Sequence, residues 1–251
     1  AFTGGQTPAG DLPACCSIVL EALGASAVGA NCGRFPMDPR QAVEDMAAYA
    51  RKPVIAKPSA GAQDQPLGPD GFARQALELA VAGARYIGGC CGAGPEHIRR
   101  LRDRVKGLRF LPVAGERDWM LSSRRRHLPF ANALVIGNLR VVSNQRFLER
   151  IRRGDYDAVH GEIDIMGEAQ LLCINAVAEE LDERTALLGV AKAAWEHTDL
   201  PMAFRPQQPE ALEAVLREYP GKALVILDCV SDKDRRKVQE IASRYGALCM
   251  L

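Results

Sequence analysis

The sequence predicts an α/β fold built from repeated strand–helix units. Three observations carry that expectation. Short apolar runs such as 53–57 (PVIAK), 133–137 (ALVIG) and 223–228 (ALVILD) are continuous rather than alternating, the pattern of strands buried on both faces. Longer stretches with helical periodicity separate them. Intervals of about 25–35 residues from strand to strand match one strand–helix unit each.

Taken in order, 12–23 reads as a helix carrying Cys15 and Cys16, and 25–31 (ASAVGAN) as the first clear strand. Helix 38–51 follows, opened by Asp38 and Pro39 as cap and first-turn residues. Strand 53–57 precedes helix 69–82, where Phe72, Ala76, Leu79 and Ala80 fall on one face. Strand 84–89 leads to helix 95–106, with Ile98, Leu101 and Val105 inward and a solvated basic face outward. Residues 107–131 break the rhythm with two prolines, a Gly-Glu-Arg-Asp run and the triplet Arg124, Arg125, Arg126, and read as a linker. Strands then recur at 133–137, 169–175, 200–204, 223–228 and 247–251, separated by helices that include 183–197 and 209–218.

At 251 residues the chain suits one large or two small domains. It carries 32 basic and 31 acidic side chains, a net charge of +1, so it lacks the basic excess that nucleic-acid binding needs. No apolar run approaches the roughly 18 residues of a membrane span, and no signal-peptide pattern opens the sequence. A cytoplasmic protein without nucleic-acid or membrane partners is expected. The eight cysteines read as free thiols of a reducing compartment, some of them in a metal site. About four strand–helix units precede the linker and about five strands follow it, whereas a closed barrel needs eight. The opening Ala-Phe-Thr-Gly-Gly reads as the end of a strand, and 247–251 as a strand without a covering helix. The expectation is two partial (βα)8 TIM-type barrels cut from a longer polypeptide. Residues 1–106 form the C-terminal part of one, 107–131 the linker, and 132–251 the N-terminal part of the next.

The chemistry concentrates where strands end. Gly29-Ala30-Asn31-Cys32-Gly33 follows one strand and Gly88-Gly89-Cys90-Cys91-Gly92 another. Carboxyl ends of parallel strands share one mouth, so Cys32, Cys90 and Cys91 are expected to converge there. Three thiolates suit zinc with its fourth tetrahedral position open to a thiol. Buried small apolar residues are the alternative reading of the trio. Cys15 and Cys16, without flanking glycines, read as packing alone. His97 reads as a helix cap or surface residue. The acidic stretch 155–164 lacks calcium-loop spacing, and 88–94 lacks the lysine of a phosphate loop.

The segments GANCG, PVIAKPSAG and GGCCGAGPEHI, in that order and with 58 residues from Cys32 to Cys90, resemble the homocysteine S-methyltransferase family over about 1–105. The resemblance implies that Cys32, Cys90 and Cys91 hold zinc, that the homocysteine sulfur takes the fourth position, and that the trio is catalytic through activation of that thiol. Ala93 stands where Thr or Ser is usual, and Ser59 where Asn is usual. Residues 133–251 are similar to the start of the pterin-binding barrel that follows the homocysteine barrel in cobalamin-dependent methionine synthases. The matching features are Val135-Ile136-Gly137, Arg146-Phe147, Gly154-Asp155, PEALE at 209–213 and Tyr245-Gly246-Ala247.

The ligand positions of that second region depart from the family. Cys173 and Asn175 stand where an acid and an Asn are usual, Arg205 where an Asp reads the pterin, and Asp228-Cys229 for Asn-Ser. Gly137-Asn138-Leu139 replaces Gly-Glu-Arg. A mismatched polar site loses more than its contact energy, so methyltetrahydrofolate is expected to bind weakly or not at all. Asn175 is the one pterin contact carried over. The resemblance implies part of a methionine synthase moving a methyl group from a methyl-corrinoid, held by a module or partner outside this chain, to homocysteine. Two alternatives stand beside it: a non-catalytic, degenerate paralogue serving as a zinc-bearing scaffold, and a homocysteine methyltransferase with another methyl donor.

Overall fold

A computed structural model describes residues 2, 5–32, 39–62, 65–108, 119–130 and 134–251. The chain separates into two compact units, Ala1–Arg117 and Asp118–Leu251. Among the described residues, no helix is long and apolar enough to cross a membrane.

The first unit runs α1 (Pro13–Ala22), β1 (Val28–Asn31), α2 (Pro39–Tyr49), β2 (Val54–Lys57), a short antiparallel pair β3 (Gly61–Ala62) and β4 (Gln65–Pro66), α3 (Pro69–Val81), β5 (Ala84–Ile87) and α4 (Pro95–Val105). Prolines open α1, α3 and α4, where the missing N–H would have no helical partner anyway. Strands β1, β2 and β5 form a parallel sheet in that order. On one face Val28, Val54, Ala56 and Ala84 join Val43 and Met46 of α2 and Leu79 of α3 in a buried cluster. The opposite face carries Gly29, Asn31, Lys57 and Tyr86, all exposed, and the half-buried Ile55.

The second unit opens with a hairpin, β6 (Met120–Ser122) and β7 (His127–Pro129). It continues β8 (Ile136–Arg140), α5 (Gln145–Arg152), α6 (Ala158–Asp164), β9 (Leu171–Asn175), α7 (Glu183–His197), β10 (Met202–Phe204), α8 (Pro209–Glu218), β11 (Leu224–Ile226), α9 (Asp232–Arg244) and β12 (Leu248–Met250). The sheet order β12–β11–β10–β9–β8 is sequential and every pair is parallel. Asn144, Asp182 and Ser231 cap α5, α7 and α9 by accepting the third-residue N–H at 2.7, 3.0 and 3.2 Å. Leu172, Ile174, Met202, Phe204 and Val225 pack towards the helices, in the cluster of Leu187 and Leu212. Leu171, Cys173, Ala203 and Leu224 face the other way and are covered by Leu121 and Leu128 of the hairpin.

Two expectations are corrected here. Residues 120–129 are not linker but part of the second unit. The Ser122 N–H donates to the Lys222 carbonyl at 3.0 Å, and the Tyr219 hydroxyl donates to the Ser122 carbonyl at 2.9 Å while accepting from the Met202 N–H at 3.0 Å. The Ser123 hydroxyl reaches the Asp199 carbonyl at 2.6 Å. A Cβ on Gly221 would lie 1.9 Å from the Ser122 carbonyl oxygen, so only glycine admits the hairpin at this distance. Residues 109–118 and 131–133 of the expected linker lie outside the described residues. The strand expected at 133–137 is β8, which starts at Ile136 and runs on to Arg140. Gly137 does not end it, because its missing side chain makes room for Met166 and Ala169 beside the strand.

Candidate metal centre

The centre is built at the carboxyl ends of β1 and β5, which flank β2. Gly29 lets β1 lie against β2, since a Cβ there would stand 2.0 Å from the Ile55 carbonyl oxygen. The Cys32 N–H then donates to the Lys57 carbonyl at 2.8 Å. Cys32 has φ of 60°, and among the described residues it is the one non-glycine in the left-handed region. Such a conformation costs on the order of 1–2 kcal/mol and persists where the surroundings hold it, commonly at functional sites.

The second thiol-bearing turn is tied to the segment after β2. The Cys90 N–H donates to the Pro58 carbonyl at 2.9 Å, the Ala60 N–H to the Cys91 carbonyl at 2.8 Å, and the Ser59 hydroxyl to that same carbonyl at 3.1 Å. Gly92 follows with φ of 76°, which a side chain would oppose. These bonds bring the three expected cysteines together. The Cys32 and Cys91 sulfurs are 3.7 Å apart, the Cys90 and Cys91 sulfurs 3.7 Å, and all three lie within 4.8 Å of one another. Thiolates about 2.3 Å from a tetrahedral zinc stand about 3.8 Å apart, so the donor set fits that ion.

Cys32 and Cys90 are half-buried and Cys91 is exposed, so a fourth ligand has an approach. Hydrogen bonding from Cys32, with help from Cys91 and the Asn31 side chain, holds the Cys90 thiol below its ordinary range. Hydrogen bonds with Cys32 and Cys90, and then their charges, push Cys91 up. Three sulfurs this close resist ionising together unless a cation joins them. The other described thiols behave differently. Burial raises Cys16 and Cys173 to about 11, and it raises Cys229 and Cys249 as well, as expected of packing cysteines. His97 is a cap: its Nδ1 accepts the Gly94 N–H at 3.1 Å, which leaves Nε2–H to donate to the Leu67 carbonyl at 2.9 Å.

The strand ends of the second unit hold a different arrangement. Asn175 is buried, and its side-chain oxygen accepts the Val177 N–H at 3.0 Å. Arg205, just after β10, grips Asp228, just after β11, through Nε to Oδ1 at 2.7 Å and a second contact from Nη2 to Oδ2. The Arg205 bond holds the Asp228 carboxyl below its ordinary range and raises Arg205. Arg205 offers only donors, and each Asp228 oxygen already accepts one of them. The Arg205 side chain therefore does not offer the acceptor that the donors of a pterin edge need.

A family model described as homocysteine S-methyltransferase matches residues 2–105. Over these residues the amino-terminal unit is similar to the homocysteine S-methyltransferase family. All three clustered cysteines lie inside the matched residues. The methionine synthase of Mycobacterium leprae (strain TN) is 28% identical over 259 residues, covering 91% of this chain and 21% of its own length. The methionine synthase of Mycobacterium tuberculosis (strain ATCC 25618 / H37Rv) is 27% identical over 226 residues, covering 82% of this chain and 18% of its own. The chain thus spans about a fifth of the length of these curated relatives. Within the first unit, sequence reasoning passed over Lys57 and the Asn31 side chain. A charged residue closing the otherwise apolar run VIAK was the available signal.

Proposed function

We propose that this chain is the thiol-activating part of a methionine synthase, in which Cys32, Cys90 and Cys91 hold zinc and homocysteine is the methyl acceptor. The observation that supports the reading most is the sulfur trio, with two spacings of 3.7 Å and all three sulfurs within 4.8 Å of one another, which suits three corners of a tetrahedron. A zinc ion bound there would supply the positive charge that keeps a substrate thiol deprotonated near neutral pH. The protein's own part is positioning. The backbone bonds of Cys32 to Lys57 and of Cys90 to Pro58 fix where the sulfurs point, and the exposed side at Cys91 leaves the fourth direction open to the incoming thiol. The methyl group would come from a methyl-corrinoid on a module outside this chain, consistent with relatives about five times its length.

The two units are read as portions of successive (βα)8 barrels. The second would keep the fold of a pterin-binding barrel while its strand ends carry the Arg205–Asp228 pair in place of the family's ligand residues. That departure favours a second reading, a zinc-bearing scaffold without turnover. Metal analysis and homocysteine titration of the full-length protein separate the two. About one zinc per chain is expected, and Cys90→Ala should remove most of it while Cys15→Ala leaves it in place. Full zinc in the Cys90→Ala protein would sink the assignment. Zinc without homocysteine binding would leave only the scaffold.

A further inference from the structure

Lys57 closes β2, between the two strands that deliver the thiols. Its register partner is Asn31, the residue before Cys32, and its carbonyl takes the Cys32 N–H at 2.8 Å. On the other side its stem lies over Gly88, two residues before Cys90: a Cβ built on Gly88 would meet the Lys57 Cγ at 3.6 Å and Cδ at 3.9 Å. Val54 and Ala56 point into the core, so Ile55 and Lys57 point to the open face. Among the described residues at the carboxyl ends of β1, β2 and β5, Lys57 is the one that carries a charge, the others being Asn31, Ile87 and the glycines and cysteines beyond them. It is exposed, and it makes no ion pair with any described residue.

Charge arithmetic gives this placement a purpose, on the reading that the trio holds zinc. A divalent ion with three thiolates carries one net negative charge, and a fourth thiolate brings a second. That accumulation opposes the binding of an ionised thiol unless a fixed cation answers it. We propose that Lys57 is the charge-balancing residue of the thiol centre, its ammonium favouring anionic sulfur ligands at the open position whatever the rest of the ligand carries. It acts through the field at the sulfur and is a positioning residue for charge, distinct from the three cysteines that would hold the metal.

The test uses zinc-loaded full-length protein and calorimetric titration with two thiols, homocysteine and 3-aminopropane-1-thiol, which lacks the carboxylate. Lys57→Met should keep its zinc and bind both thiols about tenfold more weakly. Lys57→Arg should restore most of the affinity. The affinity of the unsubstituted protein should fall as salt rises, and that of Lys57→Met should fall less, because an exposed ammonium is screened. A loss confined to homocysteine would overturn the proposal by making Lys57 a reader of the carboxylate. Unchanged affinities would overturn it, as would loss of zinc from Lys57→Met. If the unsubstituted protein binds neither zinc nor homocysteine, the parent reading fails with it. Tight binding by both the unsubstituted and the Lys57→Met proteins fails only this inference.

Discussion

In the sheet β12–β11–β10–β9–β8, the face turned away from the helices carries Leu171, Cys173, Ala203 and Leu224, and the hairpin side chains Leu121 and Leu128 bury it. In the sheet β1–β2–β5, the corresponding face carries Gly29, Asn31, Lys57 and Tyr86 in the open, with Ile55 half-buried. The same parallel architecture therefore serves two ends. Filling a face with apolar side chains contributes stability but pushes any thiol on it upward, as at Cys173, which burial raises to about 11. Leaving a face small and polar forgoes that burial, and lets backbone hydrogen bonds draw three thiols together where Cys90 sits below its ordinary range.

The most disruptive way to break the comparison is to give the open face a side chain. Gly29→Ala would drive a Cβ to within 2.0 Å of the Ile55 carbonyl oxygen, a backbone atom that cannot swing aside. Strand β1 must then move off β2, carrying Cys32 with it. The expected cost is above about 3 kcal/mol in urea unfolding, together with loss of bound zinc, since cavities and clashes in packed regions are the mutations that reach this size. A stable Gly29→Ala protein with full zinc would show that the glycine is incidental to the centre.

The filled face predicts a somewhat smaller effect. Leu121 is fully buried beneath the second sheet although its strand is only three residues long. Leu121→Ala should cost about 2–3 kcal/mol and leave zinc untouched, because the transfer and cavity contributions both lie in the second unit. A cost below about 1 kcal/mol would mean that the hairpin rests on the unit without belonging to its core.

These residues also show where sequence reasoning reached and where it stopped. The trio was legible because glycines flank each cysteine motif and both motifs follow an apolar run, so strand ends and a shared mouth could be read together. The hairpin was not. Strands of three residues interrupted by Arg124, Arg125 and Arg126 give no periodicity, and what fixes them is distant: Tyr219, Lys222 and Asp199. The end of β8 was misplaced for a related reason, since Gly137 looks like a terminator until Met166 and Ala169 are seen against it. Arg205 and Asp228 were both placed at strand ends, but their pairing is a fact of neighbouring strands and has no signature along the chain.

That pair supplies the smallest expected effect and the sharpest contrast with the thiol centre, because here opposite charges answer each other directly. The Arg205 bond lowers the Asp228 carboxyl in the folded state, so the pair contributes stability that is fully present above the ordinary carboxyl value of about 3.9. The contribution fades as pH falls through the lowered value, when the folded state must take up the proton it had resisted. The side chains are 30% and 40% exposed, which screens the interaction and keeps the effect below about 1 kcal/mol. Asp228→Asn should therefore be slightly less stable than the unsubstituted protein at neutral pH and should converge with it in acid. Urea unfolding at a series of pH values measures the gap. A gap that stays constant below pH ~4 would mean that Asp228 contributes through packing or neutral hydrogen bonding, and that the charge of the pair adds nothing to the second unit's stability.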